Sequence, residues 1–396
     1  MKSIFIWLFA CIAQIGLSQE VRELTSTEKE KDFLFLVETL KSNYPYFSLY
    51  ERVYGKSWLS QKDSFLKKVC NTKNNKEYIL LLDSIVKNLH DKEVDLSPTV
   101  YWSHYRTKYG EACLINPGYI PWVNTLNQSD KEMGYWSKLL KKGNTKETVS
   151  KNNSQYKDSI IPSRKIGILH ISSFDPESRE DDFQRINEFL YRISNYNYLI
   201  IDIQGNKGRS SSYWMEGIVK RLIYAPACFQ RYFAIKKGRH NSLFFSRYLN
   251  SDVTINVSSQ FISPPLELSE QTFKVTKETT IIYPYLPIPF KGEIIILTDS
   301  GVFSAADEFA CFAQSTSWAT VAGQTTAGGG IGSDPVVIRL PASGILVRYP
   351  ALAGLNPNGS LHIEDKTIPD TEIKGNKPDE RLNNLIDRLN DSLLFI

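Results

Sequence analysis

Apolar residues in the first quarter of the chain recur at intervals of three and four, the spacing that predicts amphipathic helices. Three segments carry this pattern: KDFLFLVETLKSNYPYF (31–47), KSWLSQKDSFLKKV (56–69) and NKEYILLLDSIVKNL (75–89). Residues 99–164 follow without a clear period, first rich in Tyr, Trp, Pro and Gly and then polar and turn-forming. We therefore predict a helical N-terminal domain over 26–98 and an irregular connecting region over 99–164.

From residue 165 onward, short apolar strands alternate with amphipathic helices, the pattern of an α/β layer structure. We expect this α/β core to extend over 165–396. The predicted strands are 165–171, 198–203, 293–299 and 319–323, and the predicted helices are 182–193, 212–223 and 304–314. Segments 336–341 and 344–350 are predicted to form a hairpin, and a C-terminal helix is predicted from residue 378. The strands 198–203 and 293–299 are continuously apolar, which predicts burial on both faces. For 225–290 we predict only some strand.

The N-terminus reads as an export signal. Lys2 precedes an apolar run from Ile4 to Leu17, and the small residue Ser18 follows. We expect residues 1–18 to be a cleaved signal peptide, which would place the mature protein in the periplasm, in the medium or at the outer surface. A permanent anchor is the alternative, although the run is shorter than the roughly 20 residues of a spanning helix. A lipoprotein would use Cys11, before which few apolar residues stand.

Charge and cysteine usage narrow the functional classes. The chain has 47 Lys and Arg against 43 Asp and Glu, a net charge of +4, which is too mild to indicate a nucleic-acid surface. Four cysteines remain after the signal, namely Cys70, Cys113, Cys228 and Cys311. They are widely spaced and form no CxxC motif, so we expect neither a metal site nor a cofactor. Cys311 lies in the apolar stretch EFACFAQ, which favours a free buried thiol, and the pairing of the others stays open.

Two segments contain the candidate chemistry. In EIIILTDSGVFSAADEFACFAQ (293–314), a buried strand leads through a glycine turn into a helix that begins at Ser304. A serine placed there is held rigidly, and the N–H groups at the helix N-terminus can stabilise an oxyanion. Ser304 and Asp307 also fit a simple S-x-x-D helix cap. In YLIIDIQGNKGRSSS (198–212), Gly205 and Gly208 indicate either N–H groups turned toward a ligand or an ordinary tight turn.

Together these segments resemble the tail-specific, or C-terminal processing, serine proteases. The family's D-x-R-G-N-x-G-G loop is similar to IDIQGNKG (201–208), and its S-A-x-E turn to SAAD (304–307). Its G-E-x-T-x-G segment resembles GQTTAG (323–328), and its late E-x-x-G-[VI]-x-P-D segment resembles EDKTIPD (364–370). The resemblance covers most of residues 30–375 and implies a crotonase/ClpP-like α/β core behind a helical domain, without a PDZ insert.

The same resemblance implies a serine-type peptidase acting on polypeptides, without a nucleic-acid partner, a stable membrane span or a cofactor. Ser304 would attack the scissile carbonyl, and the N–H groups of Gly208 and Ala305 would hold the oxyanion. The sequence does not indicate the substrate or the oligomeric state.

Several departures concern the base that would activate the serine. The classical branch places a lysine at the position of Gly329, and the tricorn-like branch has a D-x-H whose counterpart here is DKE (91–93). The family's loop arginine is Gln204, and its late glycine is Thr367.

The remaining candidates for the base are Glu93, if burial raises its pKa, His90 on the same predicted helix face, and His362, which would point the same way as Glu364 in a strand. If none serves, the chain is an inactive relative. Such a relative would bind peptides or small apolar molecules in the cleft, as the resemblance to the retinoid-binding member of the family implies.

Overall fold

Eleven strands build three sheets in the computed structural model, which describes residues 22–140, 155–251, 254–262, 265, 267–269 and 271–390. The strands are β1 (Tyr156–Ile161), β2 (Ile166–Ile171), β3 (Tyr198–Asp202), β4 (Ala227–Lys236), β5 (Phe273–Ile282), β6 (Glu293–Thr298), β7 (Thr320–Gly323), β8 (Val336–Arg339), β9 (Leu346–Tyr349), β10 (Leu352–Leu355) and β11 (Thr371–Glu372). The central sheet has the order β1-β2-β3-β6-β7-β11, and smaller sheets have the orders β10-β4-β5 and β8-β9.

Helices form the N-terminal part and cover the central sheet. They are α1 (Ser26–Asn43), α2 (Phe47–Tyr54), α3 (Lys62–Cys70), α4 (Asn75–Lys87), α5 (Ser97–Val100), α6 (Trp102–Ile115), α7 (Ile120–Asn127), α8 (Asp130–Leu140), α9 (Arg179–Arg192), α10 (Ser211–Trp214), α11 (Lys220–Leu222), α12 (Arg239–Phe244), α13 (Ser246–Leu249), α14 (Val257–Gln260), α15 (Ala305–Ser315), α16 (His362–Asp365) and α17 (Pro378–Asn390). A π-helical turn, Met215–Val219, joins α10 to α11.

The centre of the sheet is parallel and apolar on both faces. β2, β3, β6 and β7 run parallel, whereas the edge strand β1 is antiparallel to β2. Ile201 and Ile296 pack into the main core on one face, and Ile200 and Ile295 pack on the other face, where α17 contributes Leu385, Ile386 and Leu389. The predicted α/β core and its two doubly buried strands are confirmed.

The N-terminal helices are fixed to this core by polar contacts as well as by packing. The Asp32 carboxylate accepts hydrogen bonds from the N–H groups of Ala342 and Ser343, at 2.6 and 2.9 Å. Arg348 of β9 forms a bidentate ion pair with Asp95, at 2.9 and 2.8 Å. The hairpin β8–β9 is therefore the part of the core to which these contacts attach the N-terminal helices.

Three expectations about secondary structure need correction or completion. The segment predicted to be irregular over 99–164 is helical as far as residue 140, in α5 to α8. The periodicity is weak there because α6 buries only Tyr109 fully. The strand β1 was not predicted because half of its residues are polar. The region 225–290 contains the antiparallel pair β4–β5, in which each strand has ten residues.

The predicted signal peptide, residues 1–18, lies outside the described residues. None of the helices in the described ranges has the length and apolar content of a bilayer-spanning segment.

The central sheet gives a direct test of the fold. Ile295→Asp would place a charge at a fully buried position, so we expect a loss of free energy of unfolding on the order of 4 kcal/mol or more. Ile281→Asp is the matched control, because Ile281 lies on β5 and is 49% exposed. Chemical denaturation followed by circular dichroism measures both. Equal stability of Ile295→Asp and wild type would contradict the assigned sheet.

Candidate active site

Ser304 stands in a backbone conformation that few non-glycine residues adopt. It has φ 57° and ψ −128° and is the residue before α15. Its N–H donates to the carbonyl oxygen of Gly328 at 3.0 Å, and its half-buried hydroxyl has no hydrogen-bond partner in the described part of the chain. The cap interpretation is therefore wrong, since the Ser304 side chain accepts no N–H group of α15. Strain of this kind at a buried helix start is typical of functional sites.

The loop after β3 lies against this serine turn. A Cβ on Gly208 would come within 2.6 Å of the Ala305 nitrogen and 2.8 Å of the Phe303 oxygen, and the φ of Gly208 is 80°. Only glycine therefore allows the two segments to approach so closely. The Ala305 N–H has no acceptor among the described residues, whereas the Gly208 N–H donates to Asn206 Oδ1 at 2.8 Å.

A partly buried ion pair holds the glycine loop and the serine turn together. Asp299 Oδ1 accepts the N–H groups of Gly205 and Gly301, both at 2.9 Å. Arg381 of α17 donates to Asp299 Oδ2 at 3.0 Å and to Gln204 Oε1 at 2.6 Å. Gln204, where the resemblance implies arginine, thus connects the loop to the C-terminal helix.

Asp307 is fully buried and fixes the first turn of α15. Its Oδ1 accepts hydrogen bonds from Thr326 at 2.5 Å and from Thr367 at 2.6 Å. Its Oδ2 accepts the N–H of Gly330 at 2.7 Å and faces His362 Nε2 at 2.6 Å. Burial alone would raise the pKa of Asp307, but the hydrogen bond and charge of His362 and the two threonine bonds hold it below its usual value.

His362 and Glu364 do not share a face. They lie on the helical turn α16 rather than in a strand, so their side chains diverge. His362 Nδ1 lies 2.8 Å from Asn356 Oδ1, while Glu364 forms a bidentate ion pair with Arg52 at 2.7 and 2.9 Å. The hydrogen bonds from Arg52 hold the pKa of Glu364 below its usual value.

Cys311 joins the Asp307 and His362 cluster. It is a free, buried thiol whose Sγ lies 3.0 Å from Thr367 Oγ1. Burial, with the charge of Asp307, raises the pKa of this thiol. The ligating atoms of Asp307, Cys311 and His362 all lie within 4.8 Å of one another, a grouping that the wide cysteine spacing had not indicated.

Glu93 is a half-buried carboxyl group without a hydrogen-bond partner for its side chain among the described residues. Burial, together with the charge of Asp91, raises the pKa of Glu93 to about 8, although Arg348 opposes the shift. α4 ends at Lys87, so His90 and Glu93 share no helix face. His90 is exposed, has φ 55° and packs against the Tyr54 ring, with centroids 4.7 Å apart.

A cavity of about 420 Å³ is lined by several of these groups, but not by Ser304, Gly208 or Ala305. Glu93, His90, His362 and Glu364 line it, as does Phe303, the residue before Ser304. Sequence reasoning missed Lys92, whose Nζ lies 5.4 Å from the centroid of the Phe303 ring, because its position matched no motif.

Gly329, where a lysine was sought, also lines the cavity. It has φ 81°, and a Cβ there would approach the Phe303 ring to 2.8 Å. A lysine at this position would therefore be strained. The side chains that line the cavity are those of Tyr46, Val53, Tyr54, His90, Asp91, Lys92, Glu93, Phe303, Ala327, Ile331, Leu352, His362, Ile363, Glu364 and Lys366.

A strained serine at the start of a buried helix, on an α/β core and beside a glycine loop, is an arrangement that suits a serine peptidase. The family model "Peptidase family S41" matches residues 165–373, just over half of the chain. The chain belongs to peptidase family S41, and the resemblance to the C-terminal processing proteases is confirmed.

Solved structures agree on the fold. A protein from Parabacteroides merdae ATCC 43184 described as a candidate peptidase is 17% identical, with a TM-score of 0.57 over 93% of this chain and 99% of the other. Mature CPAF complexed with lactacystin is 12% identical, with a TM-score of 0.56 over 93% and 97%. No curated protein sequence matches the chain significantly.

The buried network around Asp307 gives a stability prediction. Asp307→Asn removes the carboxylate that faces His362 and places an amide among hydrogen-bond donors. We therefore expect the free energy of unfolding to fall by about 3–5 kcal/mol at pH 7. Asp365→Asn, at an exposed carboxylate on α16, is the control and should change little.

The effect should also depend on pH. Because its pKa is lowered in the folded state, Asp307 stabilises the fold at pH values above its unfolded pKa of about 3.9. This stabilisation is lost as the pH falls through the pKa of the folded state. The difference in free energy of unfolding between wild type and Asp307→Asn should therefore become smaller in acid. Denaturant unfolding at pH 7 and pH 3 measures this, and a gap that is absent at pH 7 would contradict the prediction.

Proposed function

We propose that this S41 family member is a serine-type peptidase that hydrolyses polypeptides. Ser304 attacks the scissile carbonyl, and Glu93 accepts the proton of its hydroxyl. The Ala305 N–H holds the oxyanion, together with a Gly208 N–H that Asn206 shares. The observation that carries the proposal is the strained backbone of Ser304, whose hydroxyl makes no hydrogen bond to the helix that it precedes.

Glu93 has the property that a base near neutral pH requires. A carboxylate with an ordinary pKa is too weak a base for a serine hydroxyl, and the pKa of Glu93 is raised to about 8. Glu93 also lines the cavity that Phe303 borders. Ser304 Oγ has no side-chain partner in the described residues. The proposal therefore requires Glu93 to reach Ser304 Oγ when substrate fills the cavity, since catalytic hydrogen bonds are often long in apo sites and tighten on binding.

That open geometry also favours a second candidate function. A chain that keeps the cleft but cannot activate Ser304 would bind peptides or small apolar ligands without cleaving them. The observation in its favour is the absence, among the described residues, of any base within hydrogen-bond distance of Ser304 Oγ.

The place of action is proposed from the N-terminal sequence. Lys2, the apolar run from Ile4 to Leu17 and Ser18 support export and cleavage before Gln19. An exported peptidase would meet polypeptides in the periplasm, at the surface or in the medium.

Hydrolysis by matched variants tests the catalytic proposal. With a quenched fluorescent casein substrate, Ser304→Ala should lower kcat/KM at least about a thousandfold and Glu93→Gln by roughly 10²–10⁴. For wild type, kcat/KM should rise about tenfold per pH unit and level off above pH 8, because only ionised Glu93 accepts a proton. Glu111→Gln, at an exposed glutamate on α6, is the matched control for Glu93→Gln and should leave kcat/KM unchanged.

The other outcomes are equally informative. Loss of activity in Ser304→Ala alone would move the base to His90 or His362. An inactive wild type that gains activity in Glu93→His would identify a binding protein. Glu93→Gln should melt no lower than wild type at pH 8, since it removes a charge that is costly to bury.

A further inference from the structure

Three side chains with different metal-ligating atoms meet behind the serine turn. Asp307, Cys311 and His362 are each at most 9% exposed, and their ligating atoms lie within 4.8 Å of one another. One carboxylate oxygen, one sulfur and one imidazole nitrogen form a donor set that suits Zn²⁺. Asp307 and Cys311 lie four residues apart on α15, so both project from the same face of that helix.

The distance between the sulfur and the imidazole nitrogen is close to that of a tetrahedral site. Bond lengths of about 2.3 Å to sulfur and about 2.0–2.1 Å to nitrogen place the two atoms roughly 3.6 Å apart. Cys311 Sγ and His362 Nε2 lie 3.7 Å apart. The carboxylate and imidazole would have to separate from 2.6 Å to roughly 3.3 Å.

The surrounding hydrogen bonds orient these ligands. Asn356 Oδ1 lies 2.8 Å from His362 Nδ1 and accepts its hydrogen, which directs Nε2 toward Asp307 and Cys311. Thr326 and Thr367 donate to Asp307 Oδ1 and leave Oδ2 facing the histidine. Metal-binding histidines and carboxylates are typically held by such outer partners. His362 also lines the cavity, so the cluster lies directly behind the cavity wall.

We propose that Asp307, Cys311 and His362 form a Zn²⁺ site in which the ion replaces protons. Zn²⁺ forms bonds to Asp307 Oδ2, Cys311 Sγ and His362 Nε2, while the hydrogen between Nε2 and Oδ2 and the thiol hydrogen leave as two protons to solvent. No electron is transferred. The metal-free cluster is already hydrogen-bonded throughout, so the chain folds without the ion.

Zinc binding would also change the serine turn. Asp307 lies three residues after Ser304, and its Oδ2 holds the Gly330 N–H in the loop whose Gly328 accepts the Ser304 N–H. Moving the Asp307 carboxylate away from His362 therefore disturbs the first turn of α15 and the loop of Gly328 and Gly330, the two segments that position Ser304. If the proposed function holds, Zn²⁺ lowers the hydrolytic rate.

Cobalt substitution tests the site independently of hydrolysis. Titration of the full chain with Co²⁺ should produce a near-ultraviolet charge-transfer band from a thiolate–cobalt bond, and Zn²⁺ should displace it. Cys311→Ser should lose the band while keeping a hydroxyl beside Thr367. Cys228→Ser, at an exposed cysteine, is the matched control and should retain the band.

A second variant guards against misfolding of Cys311→Ser. Asn356→Ala leaves all three ligands in place and should weaken Zn²⁺ binding roughly 10–100-fold. A wild type without the cobalt band, or a band that persists in Cys311→Ser, overturns the proposal. A cobalt band in a chain that hydrolyses nothing even when free of metal would support the metal site and contradict the peptidase function.

Discussion

The buried Asp307 carboxylate is the interaction on which the arrangement of the site depends. It carries a negative charge with no access to solvent, and hydrogen bonds from Thr326, Gly330 and Thr367 together with His362 compensate for its desolvation. These donors come from the loop after β7 and from the segment around α16. The position of α15, and with it the strained serine, is therefore set by partners that must all be present together.

A second carboxyl group beside the same cavity has the opposite environment. Glu93 is half-buried without a hydrogen-bond donor for its side chain in the described chain, and its pKa rises to about 8, whereas the pKa of Asp307 is lowered. The two groups thus suit different tasks. Asp307 stays ionised and structural, and Glu93 changes protonation state near neutral pH. Perturbed groups of the second kind cluster at functional sites.

The sequence predicted the parts of the molecule that local patterns encode. Continuous apolar runs indicated β3 and β6, and the glycine turn after β6 indicated Ser304. The role of Asp307 was not predictable, because its partners Thr326, His362 and Thr367 lie 19, 55 and 60 residues further along the chain. The local S-x-x-D spacing instead favoured a cap. Likewise, His362 and Glu364 were expected on one face because a strand was expected there. The segment is the helical turn α16, in which residues two apart point in different directions.

The fold and the family leave one chemical question at the centre of this account, which is whether Ser304 is a nucleophile activated by a base that titrates near pH 8. Labelling with a fluorophosphonate probe answers it directly, because the probe reacts only with an activated serine and needs no knowledge of the substrate. The account predicts that wild type is labelled, faster as the pH rises through about 8, and that Ser304→Ala is not labelled. Absence of labelling of wild type at pH 9, or equal labelling of Ser304→Ala, would contradict it.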